Sequence, residues 1–511
     1  MTSLWQARRD AAPESASTLP ASDFEDGARY DVVVVGAGLT GLVTALLLVR
    51  AGKKVALLEA GAVGSLTTGL STAKVSLLQG TMYSRLSGET AMKNARAYVA
   101  ANQEGAAWLL RYLDEHRVAY EVRDAYTYAG TPDGTAAVDE EQLAAARLGL
   151  PVEKVVLDLP FPTFGAVRLP DQAQIDPIAA LDVMAMDFRA RGGTLVEGAR
   201  VLRVSATGGE NRGDARVIST LGQIDAHRVV LATGTPILDR GLYFAKLEPV
   251  RSYGISYRLP GDRTGIDGMY VSADAPTRSL RTTPIVEGDG FGRIDGELLI
   301  VGGNGHTVGR APHPAALVDD LEEWTAANFP GAERTHAWSA QDYVGANPIP
   351  FAGWLPRSAG RIYFATGYAK WGMTNAVASG LRIATELLGS DTWWAKTIGR
   401  RATRPQSIVR GAVNGANVGR EAVEGWMGAL RSTLPKDPPA EGQGVVAHDK
   451  GRPVGVCTVG GVTRTVSAVC PHLGGVLTWN DQETSWDCPL HGSRFTADGT
   501  RIEGPATADL A

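Results

Sequence analysis

Cys470-Pro-His472 and Cys488-Pro-Leu-His491 set two Cys–His pairs fifteen residues apart, 473 to 487. Thiolates and imidazoles are the donors proteins use for zinc, copper and iron. Four of them on two short loops can hold one small metal centre. Two kinds of centre fit: a Cys2His2 zinc site, or a [2Fe–2S] cluster with one iron on two thiolates and the other on two imidazoles. Zinc patterns space their first pair more widely, as C-x2–4-C. Cys470 and His472 are only two apart, which suits ligands reaching neighbouring irons. The spacing argues against two buried Cys–His pairs with a purely structural role.

The rest of the chain bounds what such a centre serves. Its 511 residues suffice for two or three domains with full cores. Lys and Arg number 50 against 55 Asp and Glu, a formal charge of −5, so neither nucleic acid nor an anionic membrane is expected as a partner. Residues 1–29 are rich in Ala, Ser, Asp and Glu without an apolar core. They are expected to form a flexible arm and not a secretory signal. No apolar run reaches membrane-spanning length. Three cysteines fit a reducing cytoplasm, and Cys457, outside the pairs, fits a buried small hydrophobe.

Asp31-Val-Val-Val-Val-Gly36-Ala-Gly38-Leu-Thr-Gly41 is a buried strand running into G-x-G-x-x-G. A helix to Ala51 and a second strand, Lys54-Val-Ala-Leu-Leu-Glu59, complete the β-α-β dinucleotide fingerprint. Gly36 allows the tight turn, Gly38 admits the pyrophosphate, and Gly41 lets helix and strand pack closely. The helix N-terminus offers N–H groups to phosphate. Glu59, eighteen residues past Gly41, would accept hydrogen bonds from a ribose diol and repel a 2′-phosphate. The fingerprint alone does not separate FAD from NAD. Its N-terminal position favours FAD, as does the hydroxyl-rich loop Gly61–Gly80, where Ser71, Thr72 and Lys74 are candidate cofactor contacts.

Further along, residues 91–116 have helical spacing, and 118–170 turn strand-like and Pro-punctuated, as an inserted substrate-domain sheet would. A helix is expected from Pro177 to about Arg191. The strand ending Ala232-Thr233-Gly234 has small residues that let backbone pass a bound dinucleotide. Residues 247–310 again look like substrate-domain strands. Gly302–Gly309 is Gly-rich, but Pro312 and Pro314 block a following helix, so it is expected to be a turn and not a second nucleotide site. The absence of a second fingerprint disfavours an NAD(P)H-driven reductase. A strand ending at Gly367 precedes the loop Tyr368–Trp371 and a helix over Ala376–Leu388. That helix N-terminus suits the negative charge of a reduced flavin, and Tyr368, Lys370 and Trp371 are candidates for the substrate-pocket wall. Helical patches such as Arg420–Leu430 and a Pro-rich linker ending at Ala440 lead to short strands of an all-β module.

With these residues in place, the chain resembles FAD-dependent oxidoreductases of the D-amino-acid oxidase/glycine oxidase type carrying a C-terminal Rieske [2Fe–2S] domain. The resemblance rests on Gly36, Gly38, Gly41 and Glu59, Ala232-Thr-Gly234, Gln341-Asp342, Lys370-Trp-Gly-Met-Thr-Asn375, and the four Cys and His residues with their flanking Pro471, Gly474-Gly475, Pro489 and Gly492-Ser493. It implies an α/β FAD-binding Rossmann-like domain with an inserted α+β substrate domain, plus a C-terminal all-β Rieske domain. The FAD-dependent oxidoreductase domain would span 30–390: FAD-binding parts about 30–90, 172–240 and 340–390, substrate-domain parts about 118–170 and 245–335. A helical segment and linker would fill 391–440, and the Rieske domain 441–511.

Flavin contacts implied by the resemblance are Gly36, Gly38, Gly41, Glu59, Val201 on the adenine side, Gly234, Gly372, Met373 and Thr374. Ala232 and Gly367 at the strand ends join them. The cluster ligands would be Cys470, His472, Cys488 and His491. The disulfide-forming positions of respiratory Rieske proteins correspond to Gly475 and Leu490, so no staple is expected. Ser493 keeps a hydroxyl for a cluster sulfur, whereas Phe495 replaces a usual Tyr. The potential is therefore expected in the lower to middle part of roughly −150 to +300 mV. No cysteine lies in the FAD domain and no histidine in 61–80, so FAD is expected to be non-covalent.

The expected function is oxidation of an amine or amino acid by hydride transfer to FAD, with electrons passing through the cluster to an external carrier, ferredoxin-like or other. A hydroxy acid or another reduced C–N compound remains open as substrate. Arg251 is the candidate cation for a substrate carboxylate. The alternatives are a flavo-iron-sulfur relay between protein partners, a reductase run from ferredoxin, and a zinc-stapled flavoprotein.

Overall fold

The computed structural model describes residues 1–12, 23–207, 213–238, 240–262, 264–286, 289, 296–400 and 405–511. Arg29–Val35 lies at the centre of an eight-stranded sheet, parallel to Val55–Leu58 on one side and to Gly222–Leu231 on the other. The helix Leu39–Arg50 is buried along most of its length because it runs between this sheet and the helix Gly372–Leu387. A Cβ on Gly380 would lie 2.9 Å from Val43, so glycine sets how closely those helices cross.

A second, nine-stranded sheet lies in the region expected to be the substrate domain, in the order Glu333–Gly345, Leu247–Arg258, Glu297–Thr307, Arg278–Pro284, Met269–Ser272, Tyr120–Tyr128, Ala166–Ile175 and Lys74–Val75, with Glu153–Val155 beside Ala166–Ile175. The third unit is all β. Gly444–Asp449, Arg452–Val459 and Val462–Ser467 form one antiparallel sheet. Thr478–Asn480, Ser485–Asp487, Arg494–Thr496 and Arg501–Glu503 form another. The chain is thus a Rossmann-like fold with an inserted α+β domain and a C-terminal all-β region.

The structure departs from the sequence expectations in four places and extends a fifth. Leu4–Ala11 is a docked helix and not part of a loose arm. Ser3 and Gln6 form a capping box, Leu4 and Trp5 are fully buried, and Trp5 Nε1 donates to the Ser71 carbonyl at 2.8 Å. The arm's residues 13–22 lie outside the described residues. The stretch 118–170 contains the helix Thr135–Arg147, whose mixed Ala and charged residues hid its period. Gly302–Thr307 continues the strand from Glu297; its glycines let neighbouring backbone approach, since a Cβ on Gly303 would collide with the Thr277 carbonyl. Lys74–Val75, in the stretch assigned to the FAD part, pairs with the substrate sheet at Gln174 and Ala173. The helical patches of 389–440 are two helices, Trp393–Gly399 and the 27-residue Pro405–Arg431.

Candidate active site and cluster loops

A cavity of about 350 Å³ opens where the two large sheets meet. Gly36, Gly38 and Glu59 line its dinucleotide end. Gly36 has φ +102°, and a Cβ there would lie 2.6 Å from the Ala232 carbonyl oxygen. Gly41 does not face the cavity: its missing Cβ is the space taken by the Gly36 carbonyl, which locks helix onto strand. No N-cap side chain closes the helix that starts after Gly38; Thr68 Oγ1 accepts from Leu39 N at 3.3 Å, and the positive end of the helix still faces the cavity. The buried Glu59 carboxylate accepts from Ala37 N at 2.7 Å and Gly61 N at 2.9 Å. Burial raises its pKa and those backbone donors oppose the rise.

Ser71, Thr72, Lys74, Val201, Ala232, Gly234, Gly372 and Met373 also line the cavity. Thr374 and Gly367 do not. The Thr374 hydroxyl is held in a buried network with Gln79 and Asn102. Gly367 turns the backbone at φ +82° against Leu247 and Phe351. The helix Gly372–Leu387 likewise begins without a side-chain cap, beside the cavity. A fingerprint turn shaped by close backbone contact, an acid set for hydroxyls and two uncapped helix starts make a donor set that fits FAD.

Lys74 sits on the substrate sheet, away from the Gly-rich turn. Its Nζ donates to Ser279 Oγ at 2.6 Å, and burial together with Arg281 lowers its pKa to about 7. Tyr368, Lys370 and Trp371 line the same cavity. Tyr368 Oη bonds Thr40 Oγ1 at 2.7 Å. Ala369 and Lys370 both have positive φ, 51° and 73°, and Asp342 fixes this strained turn by accepting from Lys370 N at 2.5 Å. A Cβ on Gly305 would collide with Lys370 Nζ and lie 3.0 Å from Ser252 Oγ, so the ammonium rests in a hollow only glycine leaves open.

Arg251 is a correction. It does not line the cavity. Its guanidinium turns toward the C-terminal domain and is saturated there: Glu483 at 2.5 and 2.6 Å, Glu503 at 2.9 Å and Ser339 at 2.6 Å. A substrate carboxylate would have to displace two buried carboxylates. Sequence reasoning had no means of pairing residues more than 200 positions apart.

The two ligand loops close tightly. Cys470 N donates to the Gly475 carbonyl at 2.8 Å, and Cys488 N to the Ser493 carbonyl at 2.8 Å. The thiols of Cys470 and Cys488 share a hydrogen bond, and Ser493 also hydrogen-bonds Cys470, which helps pull that thiol's pKa down. The His472 and His491 rings face each other edge-on, with centroids 5.0 Å apart. Among the described residues, no three Cys, His, Asp or Glu side chains converge as one ion would require. Thiol beside thiol and imidazole beside imidazole is the donor set of a dinuclear cluster. Gly475 is required here, because a Cβ would lie 2.6 Å from Leu490 and 3.1 Å from Cys488 Sγ.

These loops dock on the flavin domain. The His491 ring packs edge-on against Phe244 at 5.3 Å. Gln341 Nε2 donates to the Gly492 carbonyl at 2.8 Å and to Tyr343 Oη at 3.0 Å. A Cβ on Gly504 would lie 2.5 Å from Ser493 Cα and 2.6 Å from the Gly492 oxygen, and Gly504 also lines the FAD cavity. One residue therefore separates the cavity from the second ligand loop. Sequence reasoning missed this wall, because a short strand such as Arg501–Glu503 gives no local signal.

Residues 31–386 match the family model described as FAD dependent oxidoreductase, and 434–511 match the Rieske [2Fe-2S] domain. The chain is 28% identical over 499 residues to YhfW of Bacillus subtilis (strain 168), described as a Rieske 2Fe-2S iron-sulfur protein, covering 95% of this chain and 94% of that one. Its fold is similar to glycine oxidase from Geobacillus kaustophilus (TM-score 0.58, 18% identity, 72% of this chain and 96% of that one). It is also similar to L-amino acid deaminase from Proteus myxofaciens (TM-score 0.56, 15% identity, 74% of this chain and 94% of that one). The chain belongs to the FAD-dependent oxidoreductase family, and it carries a C-terminal Rieske [2Fe–2S] domain.

Proposed function

We propose that the protein oxidises an amine or amino acid and passes the electrons through its cluster to an external carrier. Bound FAD supplies a two-electron acceptor and the cluster a one-electron carrier. In balance, a CH–NH2 group loses two electrons and two protons to become C=NH, which water converts to a carbonyl and ammonia. Cys470, His472, Cys488 and His491 would hold the cluster. Gly36, Gly38, Glu59 and the uncapped helix starts would hold FAD.

The chain's own groups would then bind and orient the amine. Lys370 and Lys74 are cavity cations suited to a carboxylate, and Trp371 and Tyr368 wall the pocket. Near neutral pH, Lys74 Nζ can hold or release a proton while bonded to Ser279. The oxidase and deaminase neighbours support a C–N donor. The observation that carries the relay is Gly504, which lies between the FAD cavity and the Gly492–Ser493 backbone. Among the described residues, no helix is long and apolar enough to cross a membrane, so the carrier is expected to meet a surface near the cluster.

The test is an anaerobic titration with amines, amino acids, hydroxy acids, NADH and NADPH. Flavin bleaching is followed optically and the reduced cluster by EPR. An amine or amino acid should bleach FAD and then produce the cluster signal. Reduction by a nicotinamide alone, or only by dithionite, would refute the proposal, the latter favouring a relay between proteins.

A further inference from the structure

We propose that Arg501, on the last strand of the Rieske domain, binds the adenosine-diphosphate half of FAD together with Arg200, so that both domains hold the flavin cofactor. The segment that makes this possible is the wall of the cavity itself. Arg501, Glu503, Gly504 and Ala506 line the same cavity as Gly36, Glu59 and Val201.

Arg501 is only 7% exposed. Its Nη1 donates to the Ala506 carbonyl at 2.8 Å, but its Nε is buried with no hydrogen-bond partner among the described residues. A buried donor left unpaired is costly, so a ligand that accepts from it stabilises the fold. Arg200 lies against the same strand, donating to the Arg501 and Ile502 carbonyls, each at 3.3 Å. Two guanidinium groups thus meet at one cavity wall. Burial, reinforced by Arg200, lowers the pKa of Arg501 to about 10, the mark of a cation short of counter-charge. Glu59 acts on Arg200, and Asp509, whose carboxylate accepts from Arg501 N, acts on both arginines. Glu59 itself is engaged by Ala37 and Gly61. The diphosphate and ribose of FAD bring the anionic oxygens and acceptors this wall lacks.

One consequence is linkage: if FAD bridges the domains, its binding must stabilise the docked Rieske domain. Flavin-depleted protein with its cluster retained is titrated with FAD by flavin fluorescence, and with ADP by competition. R501A should weaken both ligands by about tenfold or more, as expected for a lost charge-assisted hydrogen bond, and R501K by less. The cluster EPR spectrum checks that the domain is folded. A second measurement needs no variant. In the wild type, amide hydrogen exchange over 499–511 should slow when FAD is added. FAD affinity of R501A within twofold of wild type with the EPR spectrum intact, or exchange over 499–511 that ignores FAD, overturns the proposal.

Discussion

Replacing Arg251 with alanine should loosen the Rieske domain from the flavin domain, and the size of the effect follows from the charges left behind. Arg251 is 2% exposed and grips both oxygens of Glu483 and one of Glu503. Arg494 holds the same two carboxylates at 2.9 Å each, and Asp487 at 2.9 Å. Two arginines face three carboxylates. In R251A one arginine faces three, all buried between the domains. Breaking a buried ion pair from one side costs about 3–5 kcal/mol, whereas an exposed pair is worth about 1 kcal/mol or less. Urea denaturation at pH 7, followed by the visible circular dichroism of the cluster, should show a loss in the larger range. Urea is preferred to guanidinium because it leaves ionic strength unchanged. A loss under about 1 kcal/mol would refute the argument that this network bears on docking.

The same network sets a pH signature. The two arginines hold the Glu483 carboxyl far below the usual carboxylate range, against the opposing pull of burial. A depressed carboxyl stabilises the fold above its unfolded pKa of about 4.3, and that contribution is lost as pH falls through the folded value. Without Arg251 burial gains weight and the folded pKa of Glu483 rises. The deficit of R251A should therefore be full at neutral pH and shrink below about pH 4. A deficit that stayed constant on acidification would place the lost energy in packing and not in charge.

S493A removes a hydroxyl bonded to Cys470 and should lower the cluster potential on the order of 50–100 mV in a redox titration, since hydrogen bonds to sulfur favour the reduced state. W5A should cost about 3–5 kcal/mol in chemical denaturation, because Trp5 is fully buried and bonded to Ser71; a loose arm would lose nothing. K74M should flatten part of the pH dependence of stability. The folded pKa of Lys74, about 7, lies below the unfolded value of about 10.4, so the unfolded chain binds more protons between them and wild-type stability rises over that window.

The dinucleotide turn was legible because its determinants are local. Gly36, Gly38 and Gly41 act within six residues, and Glu59 follows one strand later. The cluster loops were legible for the same reason. What stayed hidden depends on partners distant in sequence. Arg251 looks like a pocket cation until Glu483 and Glu503 are seen across the domain boundary. Lys74 follows a hydroxyl-rich loop and reads as a candidate cofactor contact; it does line the cavity, but from the other sheet, paired with Gln174. The N-terminal helix did leave a signal. Ser3-x-x-Gln6 around Leu4-Trp5 is a capping box with two apolar residues, but its acidic and small-residue surroundings outweighed it.

The glycines at the domain boundary argue that the two redox units fold as one body. Gly309 approaches so closely that a Cβ would lie 2.7 Å from Pro489 N, and Gly492 would meet Pro249 at 2.5 Å. Each contact sets backbone against backbone or ring, which side-chain rearrangement cannot relieve. Gly309 and Gly492 also have positive φ, 69° and 74°, so an L side chain there would add strain to collision. Thr67 Oγ1 donates to the Gln341 carbonyl at 2.7 Å, and Gln341 Nε2 to the Gly492 carbonyl. Hydrogen bonds thus run from the cavity lining to the ligand loop without crossing a gap. A mobile cluster domain would need a polar, loosely packed and reversible boundary. Close backbone packing joined to a buried five-member charge network is the opposite arrangement, and the proposed relay accordingly works across a fixed wall.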